Sequence, residues 1–183
     1  MHGKGGWLAL ALLAFTLVLA GCEAAASERL TLPEIEVSFR FEVNGNALSD
    51  GQPYTATAVN TVDLTTALQQ RGGYTKNEVV AASVTAAEIE RVQPALTDLS
   101  ELLSEARVLL TASGLSDLEV ASRTGFPDDE TASLAPRSGT DVAAFVKKPA
   151  FGAKLRLVPL QPNAGETYVY EVRLTLRVQV EGV

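Results

Sequence analysis

The sequence predicts a mainly β protein, a single antiparallel two-sheet β-sandwich with two or three short helices in its connections. Three observations carry that prediction. Residues 34–43 alternate apolar and polar side chains without a break, and residues 168–180 set Tyr168, Tyr170 and five aliphatic residues on one face against Glu171, Arg173, Thr175, Arg177 and Gln179 on the other, so each must form a strand with one buried and one solvated face. The other β-rich runs are separated by turns or one short helix, never by the long amphipathic crossovers that a parallel sheet requires. A small closed barrel is the alternative architecture.

The first strand, 34–43, places Ile35, Val37, Phe39, Phe41 and Val43 on its apolar face. Asn44-Gly45-Asn46 ends it with residues that tolerate positive φ, and Asp50-Gly51-Gln52-Pro53 marks a turn before a second β-rich run at 54–62. Those two runs are expected to pair through the loop between them. Further strands are expected at 79–92, 105–112, 117–123 and 150–159, the middle two forming a hairpin around Ser113-Gly114-Leu115-Ser116. The last strand, 168–180, carries Tyr168, Tyr170, Val172, Leu174, Leu176, Val178 and Val180 on one face.

Three segments, 63–70, 98–104 and 140–148, place apolar residues three or four apart behind Asp63, Asp98 and Thr140 as N-caps, and read as two-turn helices. Their spacings differ, so they do not form a repeat. Residues 124–139 hold Pro127, Pro136 and three acidic residues without periodicity, and are expected to be the most mobile loop.

Ahead of the first strand, residues 7–20 form an apolar run, shorter than the roughly twenty residues of a spanning helix and fitting the core of a cleavable signal. Lys4 precedes it, and Leu19-Ala20-Gly21-Cys22 closes it. This segment resembles the leader of bacterial lipoproteins, a resemblance confined to the leader. It implies cleavage before Cys22, lipid attached to that thiol, and a membrane contact made through the lipid in the cell envelope. Glu23, where aspartate would signal retention, implies the outer membrane if the host has two membranes. An ordinary secretory leader with an incidental Cys22 is the alternative, but the chain has no second cysteine to pair with it. The organisation expected is therefore a removed leader at 1–21, a lipidated cysteine and short tether at 22–33, and a sandwich domain at 34–183. The part of the tether from 24 to 33 spans at most about 35 Å.

Without the leader the chain carries 14 Lys+Arg against 22 Asp+Glu. Such an acidic domain is a poor partner for nucleic acid or anionic lipid, and its charge reads first as solubility. His2, Trp7 and Met1 all leave with the leader, so the mature chain has no histidine, tryptophan, methionine or thiol that escapes lipidation. Histidine-based triads, imidazole or thiolate zinc sites and the usual haem and iron-sulfur ligation are excluded, and no cofactor is implied. The G-x-S-x-G, P-loop and G-x-G-x-x-G motifs are also absent.

The candidate sites are correspondingly few. Asp128-Asp129-Glu130 is the acidic run that a hard cation such as calcium would choose, although it lacks the alternating calcium-loop spacing and neighbouring side chains diverge in an extended loop. Phe39, Phe41, Tyr168 and Tyr170 fall on apolar strand faces and read as core, leaving Tyr54, Tyr74, Phe126 and Phe151 as possible exposed contacts. Phe126, in the loop, is the foremost ligand candidate, with packing against the sandwich as its alternative role. Lys147-Lys148 complements the carbonyl end of the third helix and implies no basic patch. The globular part resembles envelope-lipoprotein sandwich domains in architecture alone. A non-catalytic binding or structural domain with a protein or glycan partner is expected. The alternative is a module that binds or, through a carboxylate pair, hydrolyses envelope polysaccharide.

Overall fold

The computed structural model describes residues 28–182, so the lipidation expected at Cys22 lies outside the described residues. Nine strands are present: β1 (Arg29–Thr31), β2 (Ile35–Asn44), β3 (Tyr54–Thr57), β4 (Val79–Gln93), β5 (Leu103–Thr111), β6 (Leu118–Thr124), β7 (Thr131–Pro136), β8 (Gly152–Pro159) and β9 (Thr167–Glu181). Three short helices join them, α1 (Thr65–Gln70), α2 (Leu99–Leu102) and α3 (Ala143–Val146).

All pairings are antiparallel. One layer runs β2-β9-β4-β7 and the other β3-β8-β5-β6, and a brief β6–β7 pairing, Ala121 with Pro136 and Ser122 with Ala135, joins them along one edge. From β2 onward, every connection except the β5–β6 hairpin crosses between layers, which is the strand order of a jelly roll. The expected pairing of 34–43 with 54–62 is therefore incorrect: β2 pairs with β9 and β3 with β8. The connection at 45–53 is long enough to carry the chain to the opposite layer, and β9 supplies a longer apolar face for β2 than the four-residue β3.

Burial along β2 alternates at every position, and its ten residues pair with β9 in unbroken register. β1 extends the same edge, with Arg29 opposite Glu181 and Thr31 opposite Gln179. Between them the Leu32 amide donates to the Val178 carbonyl at 2.9 Å, and the Leu32 side chain is buried. Residues 29–32 thus belong to the sheet, ahead of residue 34 where the sandwich was expected to start.

The stretch expected to be the most mobile loop contains a strand. Its residues 131–136 form β7, with Ala132 and Leu134 buried, and 125–130 and 137–139 remain as connections. The helices are also shorter than expected. Asp63 accepts from the Thr65 amide at 2.9 Å, and Asp141 accepts from the amides of Ala143 and Ala82, tying α3 to β4. Asp98 makes no capping bond, and α2 stops after one turn because Leu103 already pairs in β5.

The core lies between the layers. Phe39 and Phe41 from β2 are fully buried, and the Phe39 ring meets Phe151, which precedes β8 in the other layer, at 6.0 Å between centroids. The expectation that Phe151 is an exposed contact is thereby corrected. The outer edge of β2 is covered midway by the chain that follows β3. The Asn60 side-chain amide donates to the Ser38 carbonyl and accepts from the Arg40 amide, both at 2.9 Å, while the Val59 amide donates to the Arg40 carbonyl at 2.8 Å. A side chain here makes the bonds that a neighbouring strand would make.

Candidate functional site

The pairing registers fix which connections share an end. Asn44 lies opposite Thr167, Gln93 opposite Val169, and Leu103 opposite Pro159, so connections 45–53, 94–102, 125–130 and 160–166 all gather at one end of the sandwich. β1, α1, α3 and the β5–β6 turn lie at the other. Loops held by a rigid sandwich are where recognition concentrates.

Backbone bonds weld the four connections together. The Gly51 amide donates to the Pro159 carbonyl at 2.9 Å, the Leu160 amide to the Leu102 carbonyl at 2.8 Å, and the Leu99 amide to the Asp129 carbonyl at 2.9 Å. Side chains complete the set: Asp50 accepts from the Gln161 amide at 2.9 Å, and the Tyr168 hydroxyl accepts from the Asn163 amide at 2.7 Å. Gly45 is required by close approach, since a Cβ there would sit 2.1 Å from the Asn163 carbonyl oxygen. Its value is space, whereas the positive φ expected of this turn occurs at Gly51.

Arg91 is the one buried charged side chain among the described residues, 7 % exposed. Its guanidinium donates to the Pro94 carbonyl at 2.8 Å and reaches Glu130 at 3.4 Å, while its Nε has no partner among the described residues. Beyond it the chain turns outward to Leu96, which is 99 % exposed at φ 64°. A second non-glycine residue at positive φ, Gln161, stands in the neighbouring connection. Between these segments opens a cleft of about 740 Å³, whose lining includes Asp50, Thr97, Glu101, Asn163, Glu166 and Tyr168. That volume falls in the range of small-ligand sites.

The electrostatics of this end are one-sided. The four connections hold Asp50, Asp98, Glu101, Asp128, Asp129, Glu130 and Glu166, and no lysine or arginine. The other described residues hold 14 acidic and 14 basic side chains, so the net charge of the described domain resides at this end. Of the seven carboxylates only Glu130 meets a cation, Arg91, among the described residues. At the opposite end Asp63 pairs with Lys76 and Asp117 with Lys154. Lys76 and Thr65 donate to the Asp63 carboxylate and hold its pKa down at about 2. On the outer sheet face Arg173 is bound by Glu88, Glu90 and Glu171.

The residues singled out from sequence are placed as follows. Asp128, Asp129 and Glu130 do belong to the acidic end, but their groups turn to separate partners. Asp128 accepts from the Ser100 hydroxyl at 2.7 Å, Asp129 lies 3.4 Å from the Thr131 amide, and Glu130 faces Arg91. Phe126 is half-buried against the core, with the Arg123 guanidinium 5.8 Å above its ring. Tyr54 and Tyr74 are likewise half-buried. The cleft itself was not among the sequence-based candidates; the available signal was the absence of lysine and arginine from every second connection. A smaller concavity of about 500 Å³ over β5–β7 is lined partly by Arg107 and Arg123, whose guanidinium groups are engaged by Glu105 and Glu119, and by the carbonyls of Gly125 and Ser133.

No family model matches this sequence, and no curated protein matches it. Among solved structures, the chain is similar to the decameric BFDV capsid protein at 15% identity and a TM-score of 0.39, over 82% of this chain and 99% of that one. It is also similar to the 60-mer BFDV capsid protein at 13% identity and a TM-score of 0.36, over 86% and 96% of the respective chains. Likeness at that level says nothing about what this chain does.

Proposed function

We propose that this chain is a cell-envelope lipoprotein, held to the membrane by lipid on Cys22, whose sandwich is a non-catalytic binding or structural domain that recognises its partner through the acidic loop end. The observation that carries the binding reading is the charge segregation: seven carboxylates gather at the loop end, three of them (Asp50, Glu101 and Glu166) lining the cleft, while the rest of the described domain is balanced. Such a surface attracts a cationic segment of a protein partner and repels nucleic acid and other polyanions. Exposed Leu96 adds an apolar contact at its rim. The anchoring reading is supported by the leader residues and Cys22.

Photo-crosslinking in intact cells tests both parts. A photoreactive residue at Leu96 should capture a discrete partner, and capture should fall severalfold with Cys22→Ser and with the combined Asp98→Asn, Glu101→Gln, Glu166→Gln variant. An unacylated N-terminus in membrane-extracted protein would remove the anchor; equal capture by the charge-neutralised variant would remove the acidic surface.

A second reading, a module acting on envelope polysaccharide, is favoured by the side chains of the cleft itself, where Asp50, Glu101 and Glu166 stand beside Asn163 and Gln161. Retention of purified protein on envelope polysaccharide, lost in Glu101→Gln, would favour it. Sugar release lost in the same variant would assign hydrolysis.

A further inference from the structure

We propose that the sandwich stands on the bilayer on the end that carries β1, with the acidic loop end turned away from the membrane. This rests on the lipoprotein reading and adds an orientation to it. The chain joins the sheet at Arg29, opposite Glu181. From Cys22 to that point the chain reaches at most about 25 Å. The lipid therefore holds the β1 end close to the headgroups.

The acidic connections lie at the other end of β9, beside Thr167, and a strand from Thr167 to Glu181 covers about 45 Å. Several Debye lengths at physiological salt separate the two ends, so each meets the membrane field on its own. Charge then distinguishes them. The connections at the β1 end carry Glu34, Asp63, Glu78, Asp117 and Asp141 against Arg71, Lys76, Arg137, Lys147 and Lys148, and the strand ends add Glu28, Arg29 and Glu181. That end is nearly neutral. Moreover, the carboxylates of its connections are engaged: Glu34 by Arg177 and Thr85, Asp63 by Lys76, Asp117 by Lys154, Glu78 by the Thr75 amide and hydroxyl, and Asp141 by two amides. Tipping the loop end down would instead bring seven carboxylates against an anionic surface. The two constraints, tether and charge, select the same pose, and the cleft with Leu96 faces outward.

The pose can be measured on full-length lipidated protein reconstituted into phosphatidylcholine vesicles with and without phosphatidylglycerol. With Cys22 acylated, Leu96→Cys or Ser113→Cys supplies the single free thiol for a spin label; both sites are exposed, so the fold is preserved. Collision of each label with a nickel-chelating lipid reports its nearness to the headgroups. Ser113, in the β5–β6 turn at the β1 end, should collide severalfold more often than Leu96, with a larger ratio when phosphatidylglycerol is present. Equal collision rates, or a higher rate at Leu96, in protein whose intact mass includes the lipid would overturn the orientation while leaving the anchor in place. A mass without lipid would instead overturn the anchor and the orientation with it.

Discussion

At the β1 end of the sandwich, Asp63 meets Lys76, Asp117 meets Lys154, and Asp141 caps α3 while bonding to β4. At the loop end seven carboxylates meet one arginine, and the connections are held instead by backbone bonds and by the close approach of Gly45 to Asn163. Both ends close the same two layers. The first pairs its carboxylates with cations or amides of its own, and the second, among the described residues, leaves six of its seven carboxylates without a cation. The difference teaches where to look for an encounter surface: charges already answered within the fold have little left to offer a partner.

The comparison breaks most sharply at Gly45. Gly45→Ala drives a methyl into the Asn163 carbonyl and should cost about 3 kcal/mol. Gly51→Ala, with open space around it but φ 66°, should cost about 1 kcal/mol. Urea denaturation of both variants checks the ranking, and equal losses would mean that the loop end is not welded at Gly45.

Arg91 comes next. Arg91→Ala removes the bond to the Pro94 carbonyl and the packing of a buried side chain, and should cost about 2 kcal/mol. Amide exchange of Leu99 and Ser100 should accelerate more than that of Ala82 at the far end. Uniform acceleration would show a global loss of stability with no special role in holding the loops.

The smallest effects have opposite signs at the two ends. Asp63, at a pKa of about 2 against an ordinary 3.8, contributes stability that is present above pH 3.8 and is lost as pH falls toward 2. Its exposure limits that contribution to about 0.5 kcal/mol, which Asp63→Asn should remove. Neutralising Asp98, Glu101 and Glu166 together should raise stability by about 0.5 kcal/mol at low salt and have no effect at high salt. Thermal melts across pH and salt would show whether the signs differ as stated; a destabilised triple variant would mean those carboxylates are structural.

Most elements were legible in the sequence, those with regular period most clearly, while β1, β7 and the layer that each strand joins were not. β2 and β9 could be read because large apolar residues fall at alternate positions, from Ile35 to Val43 and from Tyr168 to Val180. β7 escaped because its buried residues are only Ala132 and Leu134, and the acidic run before it gives a loop composition. β1 escaped because its three residues are exposed and it depends on β9 for pairing, so no apolar face marks it. The β2–β3 pairing was misread because alternation shows that a strand has a buried face without showing which layer it joins. The cleft required the topology: each of its connections is an unremarkable polar loop, and their shared lack of cations acquires meaning only when the registers bring them to one end. Asp128, Asp129 and Glu130 were thus a fragment of a larger acidic surface.

Asn60 gives the β2 edge a property that a solitary molecule does not need. An open ten-residue edge would be a template on which another copy of the chain could continue the sheet. By occupying the Ser38 carbonyl and the Arg40 amide, one side chain interrupts that template at its centre and makes the edge a poorer seed for a fibre.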